Sequence, residues 1–185
     1  MSVQRYLRDI CLQIYSFLTF LLTPRLSVTF PRTQLSVTVV GRRNQSIGEG
    51  AFSTVYQATD RQSPNRHYAL KRMLLQSSDL TNMAKVEVDA YHKFFHPHII
   101  QLVDHIEKVE STTAVMYLLF PYCQRGSLRD DLNRIMSGSC KKPSVSRMLR
   151  NFIDICEAIQ VLHDFQPSYV HFDIKPEVIH MVCSL

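Results

Sequence analysis

No Cys-x-x-Cys pair occurs in this 185-residue chain, and its five cysteines, at positions 11, 123, 140, 156 and 183, are an odd and scattered set. That usage excludes a cysteine-built zinc module and a disulfide framework, and it fits a reducing compartment. Charge is not concentrated either. The net charge is +5, yet lysine and arginine gather only in short pairs such as Arg42-Arg43 and Lys141-Lys142. An ordinary solvated surface is expected rather than a nucleic-acid-binding stripe. The apolar run over residues 10–22 would rise only about 20 Å as a helix, short of a hydrocarbon core of about 30 Å. Arg5 and Arg8 ahead of it suit a signal peptide, but no small-x-small cleavage site follows Leu22. Ser2 excludes N-myristoylation, which needs glycine, whereas Cys11 is a candidate for palmitoylation. A peripheral membrane contact through residues 10–22, a helix docked on the domain, and a segment without a folded role all remain open.

Glycine is scarce as well, five in all, but two stand one residue apart in the stretch that organises the rest. Ile47-Gly48-Glu49-Gly50-Ala51-Phe52-Ser53-Thr54-Val55 runs into a β-rich segment, and a second strand ends in Tyr68-Ala69-Leu70-Lys71. A hairpin of this kind can fold over polyphosphate: glycine lets the backbone approach oxygens closely and tolerates positive φ, and lysine supplies a compact charge. Ser53 stands where a third glycine would complete the pattern, so the hairpin alone is a weak signal.

Around it, alternation predicts short strands or an extended linker over 26–40, a strand ending at Ile47, and strands over 53–58 and 66–73. A helix is expected over 80–95, with Glu87, Ala90, Tyr91, Phe94 and Phe95 on one stripe. A carboxylate on an inward apolar face is costly without a cation, and Lys71 is the obvious partner; a solvated Glu87 at the stripe's edge is the alternative. Strands over 99–106 and 114–120 and a connector at 121–126 follow. Two helices come next, over 127–136 and 146–164. The longer one is expected to turn Met148, Leu149, Phe152, Ile153, Cys156, Ile159 and Leu162 inward. His96-Pro97-His98 has metal-ligand residue types, but no cysteine or carboxylate lies at ligand spacing nearby, so a structured turn is expected there.

The ordered set Gly48-x-Gly50, Ala69-Leu70-Lys71, Glu87 and His171-Phe172-Asp173-Ile174-Lys175-Pro176 resembles the eukaryotic protein kinase family over residues 43–178. Asp-x-Lys-Pro is similar to the serine/threonine branch. Gly-Glu-Gly-Ala-Phe-Ser, His-Pro-His-Ile and Pro-Tyr-Cys-Gln-Arg-Gly-Ser-Leu resemble the Numb-associated kinase family, in its small lipid-anchored branch at Golgi membranes. The resemblance implies an α+β protein-kinase-like fold, with a β-rich N-lobe carrying one helix and the first helices of an incomplete helical C-lobe. Its implied parts are an apolar segment at 1–25, a linker or short strands at 26–42, the N-lobe at 43–120, the hinge at 121–126, the C-lobe start at 127–178 and an atypical tail at 179–185.

The roles it implies are specific. The backbone from Ile47 and Gly48 through Glu49, Gly50, Ala51 and Phe52 to Ser53 would cover the ATP phosphates, Lys71 would hold the α- and β-phosphates, and Glu87 would orient Lys71. Val55 and Ala69 would flank adenine, Phe120 would be the gatekeeper, and the backbone of Pro121 and Cys123 would bond the base edge. Asp173 would accept the substrate hydroxyl proton and Lys175 would steady the γ-phosphate.

The family also uses Mg2+, but Val178 stands where it carries a magnesium-binding asparagine, and a valine side chain offers a hard cation no lone pair. Phe172 replaces the arginine that anchors a phosphorylated activation loop, and no Asp-Phe-Gly follows. The expectation is a serine/threonine kinase by family whose present chain is inactive; the alternatives are a kinase-like nucleotide- or partner-binding module and an unstable fragment. A cytoplasmic location, Golgi or perinuclear by resemblance, is implied, with a protein substrate of unspecified kind.

Overall fold

A computed structural model describes residues 25–41 and 45–180. The apolar run at 10–22, Ser2, Cys11 and residues 181–185 lie outside the described residues, as do Arg42 and Arg43. Seven strands form one antiparallel sheet: β1 (Ser27–Thr29), β2 (Ser36–Val39), β3 (Gly48–Glu49), β4 (Ser53–Asp60), β5 (His67–Leu75), β6 (Asp104–Glu110) and β7 (Thr113–Pro121). The order is β1-β2-β4-β5-β7-β6, with β3 also paired to β4.

The period of two along β7 explains how this sheet is buried on both faces. Val115, Tyr117 and Leu119 point into a core with Leu26, Val28, Phe30, Val37, Val39, Ala58 and Leu70. Met116, Leu118 and Phe120 point the other way, into a second core with Ala84 and Val88. On β5, Leu70 belongs to the first core while Ala69 and Met73 pack on the second. Lys71, two residues from each of these last two, is therefore on the helix-covered face.

Residues 26–41 do more than lead into the sheet. β2 pairs with β4 through Val37↔Asp60, Thr38↔Thr59 and Val39↔Ala58, so this segment closes the first core. The turn between β1 and β2 is tied across the fold: Thr33 donates its N–H (2.9 Å) and Oγ1–H (2.7 Å) to Asp104. Such long-range closure leaves no periodic mark in the sequence.

Helix α1 (Ser78–Lys93) is capped by Ser77, whose side chain accepts from Leu80 N–H, and has Asp79 in its first turn with His92 and Lys93 in its last. These charges suit the helix dipole. Ala84, Val88 and Tyr91 form the stripe that meets the sheet. Phe95, expected on that stripe, is 88% exposed. The helix stops at Lys93 and Phe94 takes extended dihedrals, so helical periodicity no longer governs Phe95.

The strand expected over 99–106 starts only at Asp104; Ile100 and Leu102 reach the second core from a loop instead. Helices α2 (Leu128–Met136) and α3 (Val145–Asp164) follow the connector. The predicted inward face of α3 is a clear correction. Met148, Leu149, Phe152, Ile153 and Cys156 are exposed and no residue of α3 is fully buried, because no described element lies over that face.

Candidate nucleotide site

The glycine hairpin is built by β3 and β4, with Gly48 opposite Val55 and Glu49 opposite Thr54. Ile47 N–H donates to Val55 O and Gly50 N–H to Ser53 O, both at 2.8 Å, which closes the turn tightly. Neither Gly48 nor Gly50 has positive φ, so these glycines serve close approach rather than left-handed geometry. A Cβ on Gly50 would come within 3.0 Å of Ser53 Oγ. Because Gly50 N–H is used inside the turn, the donors left at the tip are those of Ala51 and Phe52, which have no backbone partner among the described residues. Phe52 and Ile47 are exposed at the tip and edge of the hairpin.

Lys71 lies opposite Val55 on one side and Leu118 on the other. Its Nζ donates to Glu87 Oε1 at 2.6 Å, with the side chains 23% and 26% exposed. Strand alternation aims the lysine at the helix and the α1 stripe aims the glutamate at the sheet; the two periodicities meet in this ion pair. Val55 and Ala69 are half-buried beside it.

Tyr91, one turn after Glu87, packs edge-on against Phe120 with ring centroids 4.9 Å apart. Burial, and secondarily the Glu87 carboxylate, push the Tyr91 hydroxyl well above its ordinary range. It is therefore a neutral wall under the ion pair. Sequence reading placed Tyr91 on the stripe but did not foresee its seat against Phe120, which needs the β7 register.

Phe120, opposite Ala69, is buried, and Pro121 closes β7 opposite Tyr68. The connector then turns: Gly126 N–H donates to Cys123 O at 2.9 Å, and Gly126 has φ of 76°. A Cβ there would also sit 2.5 Å from Asp130 Oδ2, so this is the position where glycine's freedom is required. Cys123 is half-buried and burial raises its thiol pKa, which keeps it uncharged.

The loop at 171–178 stands apart from this group. Asp173 and Lys175 pair with each other at 2.9 Å, with side chains 61% and 49% exposed. Its shape comes from Asp173 N–H donating to His171 O (2.9 Å) and Phe172 at φ of 60°. The loop is held on α2 by Arg129 N–H to Pro176 O (3.1 Å), Leu128 N–H to Ile179 O (2.7 Å) and the Arg129–Glu177 ion pair (2.8 Å). Among the described residues no hydrogen bond or ion pair joins Asp173 or Lys175 to Lys71 or Glu87. Val178, in the same loop, contributes only backbone, its N–H donating to Lys175 O at 3.0 Å.

A strand-rich lobe with a glycine hairpin and a lysine–glutamate pair, joined by a connector to helices, defines the class of two-lobed phosphotransfer folds. Residues 42–182, more than half of the chain, match the protein kinase domain, and the chain belongs to that family. It is 41% identical over 139 residues to a probable serine/threonine-protein kinase of Dictyostelium discoideum, covering 72% of this chain and 37% of that protein. It is 29% identical over 132 residues to human serine/threonine-protein kinase 16, covering 71% and 42%. It is also 32% identical over 133 residues to mouse interleukin-1 receptor-associated kinase 1, covering 70% and 18%. These relatives place it among serine/threonine protein kinases, and it spans well under two thirds of the length of each.

Proposed function

We propose that this chain binds ATP between the glycine hairpin and the connector, as the nucleotide-holding part of a serine/threonine protein kinase. The observation that carries this is the Lys71–Glu87 pair at 2.6 Å. A cation held by a half-buried anion is the preorganised charge that phosphoryl transfer needs, since little covalent chemistry falls to the protein. The hairpin fits phosphates through its two unpartnered tip amides and the absence of side chains at Gly48 and Gly50. Val55 and Ala69 would line the base, with Phe120 behind it and the Pro121 and Cys123 backbone along its edge. In the whole protein, Asp173 would orient the substrate hydroxyl and Lys175 the γ-phosphate.

Magnesium fits less well. ATP in cells carries this cation, but the Val178 side chain provides no oxygen at the position where the family uses asparagine. Nucleotide binding without phosphate transfer is therefore the expected behaviour of this chain. Two measurements test it: thermal unfolding with millimolar ATP, with and without magnesium, and transfer of labelled γ-phosphate to a generic serine/threonine substrate. A raised melting point with no transfer agrees with the proposal, because a ligand that binds only the folded state stabilises it. Absence of a shift, or transfer that Lys71→Ala abolishes, contradicts it.

Within the family, the motif wording favours the Numb-associated branch, in keeping with the 29% identity to serine/threonine-protein kinase 16. Membrane association through residues 10–22, with Cys11 acylated in place of an N-terminal myristoyl group, would suit a Golgi or perinuclear site. Among the described residues no helix is long and apolar enough to cross a membrane. Deleting residues 1–25 from a fluorescent fusion should disperse it; an unchanged distribution would count against anchoring.

A further inference from the structure

His98, from the turn after α1, meets two carboxylates of α3. Its Nε2 is 3.6 Å from Asp154 Oδ1 and 3.7 Å from Glu157 Oε2, and the three atoms all lie within 4.8 Å of one another. The carboxylates stand three residues apart, so a regular helix presents both to the same side. Neither has another hydrogen bond or ion pair among the described residues. Two like charges thus converge on a single imidazole.

We infer that His98, Asp154 and Glu157 form a site for a divalent transition metal of the zinc class, with water completing the coordination, which clips the turn after α1 to α3. Three protein ligands with an open position is an established zinc arrangement. Bonds of about 2.0–2.1 Å set ligand atoms about 3.3–3.4 Å apart in a tetrahedron. The two observed His98 separations need only a slight contraction to reach that. Two carboxylates and a divalent ion sum to zero charge, which removes the repulsion. The imidazole selects the class, because magnesium and calcium prefer all-oxygen sites.

The donors are already held in place without an ion. On the turn side, His98 N–H donates to His96 Nδ1 at 3.2 Å and Ile99 N–H to His96 O at 3.0 Å. Alongside, Phe94 packs on Phe165 and Tyr169 with centroids 5.2 and 5.0 Å away, and Lys93 Nζ donates to Tyr169 OH at 2.7 Å. The sequence hides this grouping because the acids lie on another element, far along the chain from the histidine.

The full 185-residue chain, stripped with chelator, should bind one zinc ion by calorimetry. Cobalt(II) should give visible ligand-field bands without thiolate charge-transfer bands, which sets this site apart from binding at Cys140 or Cys156. Asp154→Asn and His98→Asn should each weaken zinc at least about tenfold, since even outer-shell changes cost 10–100-fold. Should His98→Asn fail to fold, the double change Asp154→Asn with Glu157→Gln, on partly exposed helix positions, decides alone. No zinc binding by the unmodified chain, unchanged affinity in the double variant, or thiolate bands with cobalt would each overturn the inference.

Discussion

Asp104 keeps a carboxylate at 1% side-chain exposure in the β6 edge of the sheet. Burial pushes its pKa up, but the hydrogen bonds from the Thr33 side chain and backbone and from His105 N–H, with Arg32 nearby, outweigh this and hold it below the ordinary carboxylate value. A group whose folded pKa is depressed gives stability that is present above its unfolded value and lost as pH falls through the folded one. Asp104→Asn should therefore cost about 1–3 kcal/mol at neutral pH, by leaving Thr33 and His105 donors poorly matched. It should also flatten the loss of stability below about pH 4, where an unfolded aspartate titrates. Urea unfolding of both proteins across the acid range checks both parts; parallel curves would contradict the assignment.

The Lys71–Glu87 pair works differently. Its partners are about a quarter exposed, so removing one leaves the other's charge partly buried and unpaired, which weakens folding as well as nucleotide binding. Glu87→Gln should lower ATP affinity about tenfold and cost about 1–3 kcal/mol of stability, since the Lys71 ammonium loses its charged partner. Calorimetry and urea unfolding on one preparation separate the two effects.

Among the elements, α2 depends on its first turn. Ser127 Oγ accepts from Asp130 N–H at 3.3 Å and donates to Asp130 Oδ2 at 2.8 Å, while Ser127 N–H donates to the same carboxylate at 2.7 Å. This capping box also positions the surface on which the 171–178 loop rests. Ser127→Ala should cost about 1 kcal/mol, read as a lower unfolding midpoint, and should raise amide exchange in that loop.

α3 makes the opposite prediction. Leu149 and Phe152 are 57% and 63% exposed, so replacing both with glutamate removes little packing in this chain. The double variant should unfold within about 0.5 kcal/mol of the parent and should aggregate less on concentration, because large exposed apolar patches drive association. A large loss of stability would mean that the face is covered.

At the scale of the whole molecule, motif order and spacing made the family legible, because phosphate-handling residues occupy fixed places in a strand or turn. Glu87 was legible through helical periodicity, although only the β5 alternation shows why Lys71 meets it. Three features were not. β1 and β2 close the first core through long-range pairing, which no local pattern announces. Phe95 and the α3 face were read as buried because periodicity reports which residues share a side, not whether anything covers it. The His98 cluster joins residues that are distant in sequence, so only the packing of the turn after α1 against α3 brings it together.

On the proposal made above, the Lys71–Glu87 pair beneath the glycine hairpin makes a nucleotide site. Calorimetric titration of the chain with ATP, beside Lys71→Ala and the exposed α3 double variant Leu149→Glu with Phe152→Glu as control, decides it. Saturable binding is expected of the parent chain and of the α3 double variant, with a loss of at least about tenfold in Lys71→Ala, the change expected when a charge-assisted phosphate contact is removed. Equal binding by the parent and Lys71→Ala, or no binding by the folded parent, would contradict it.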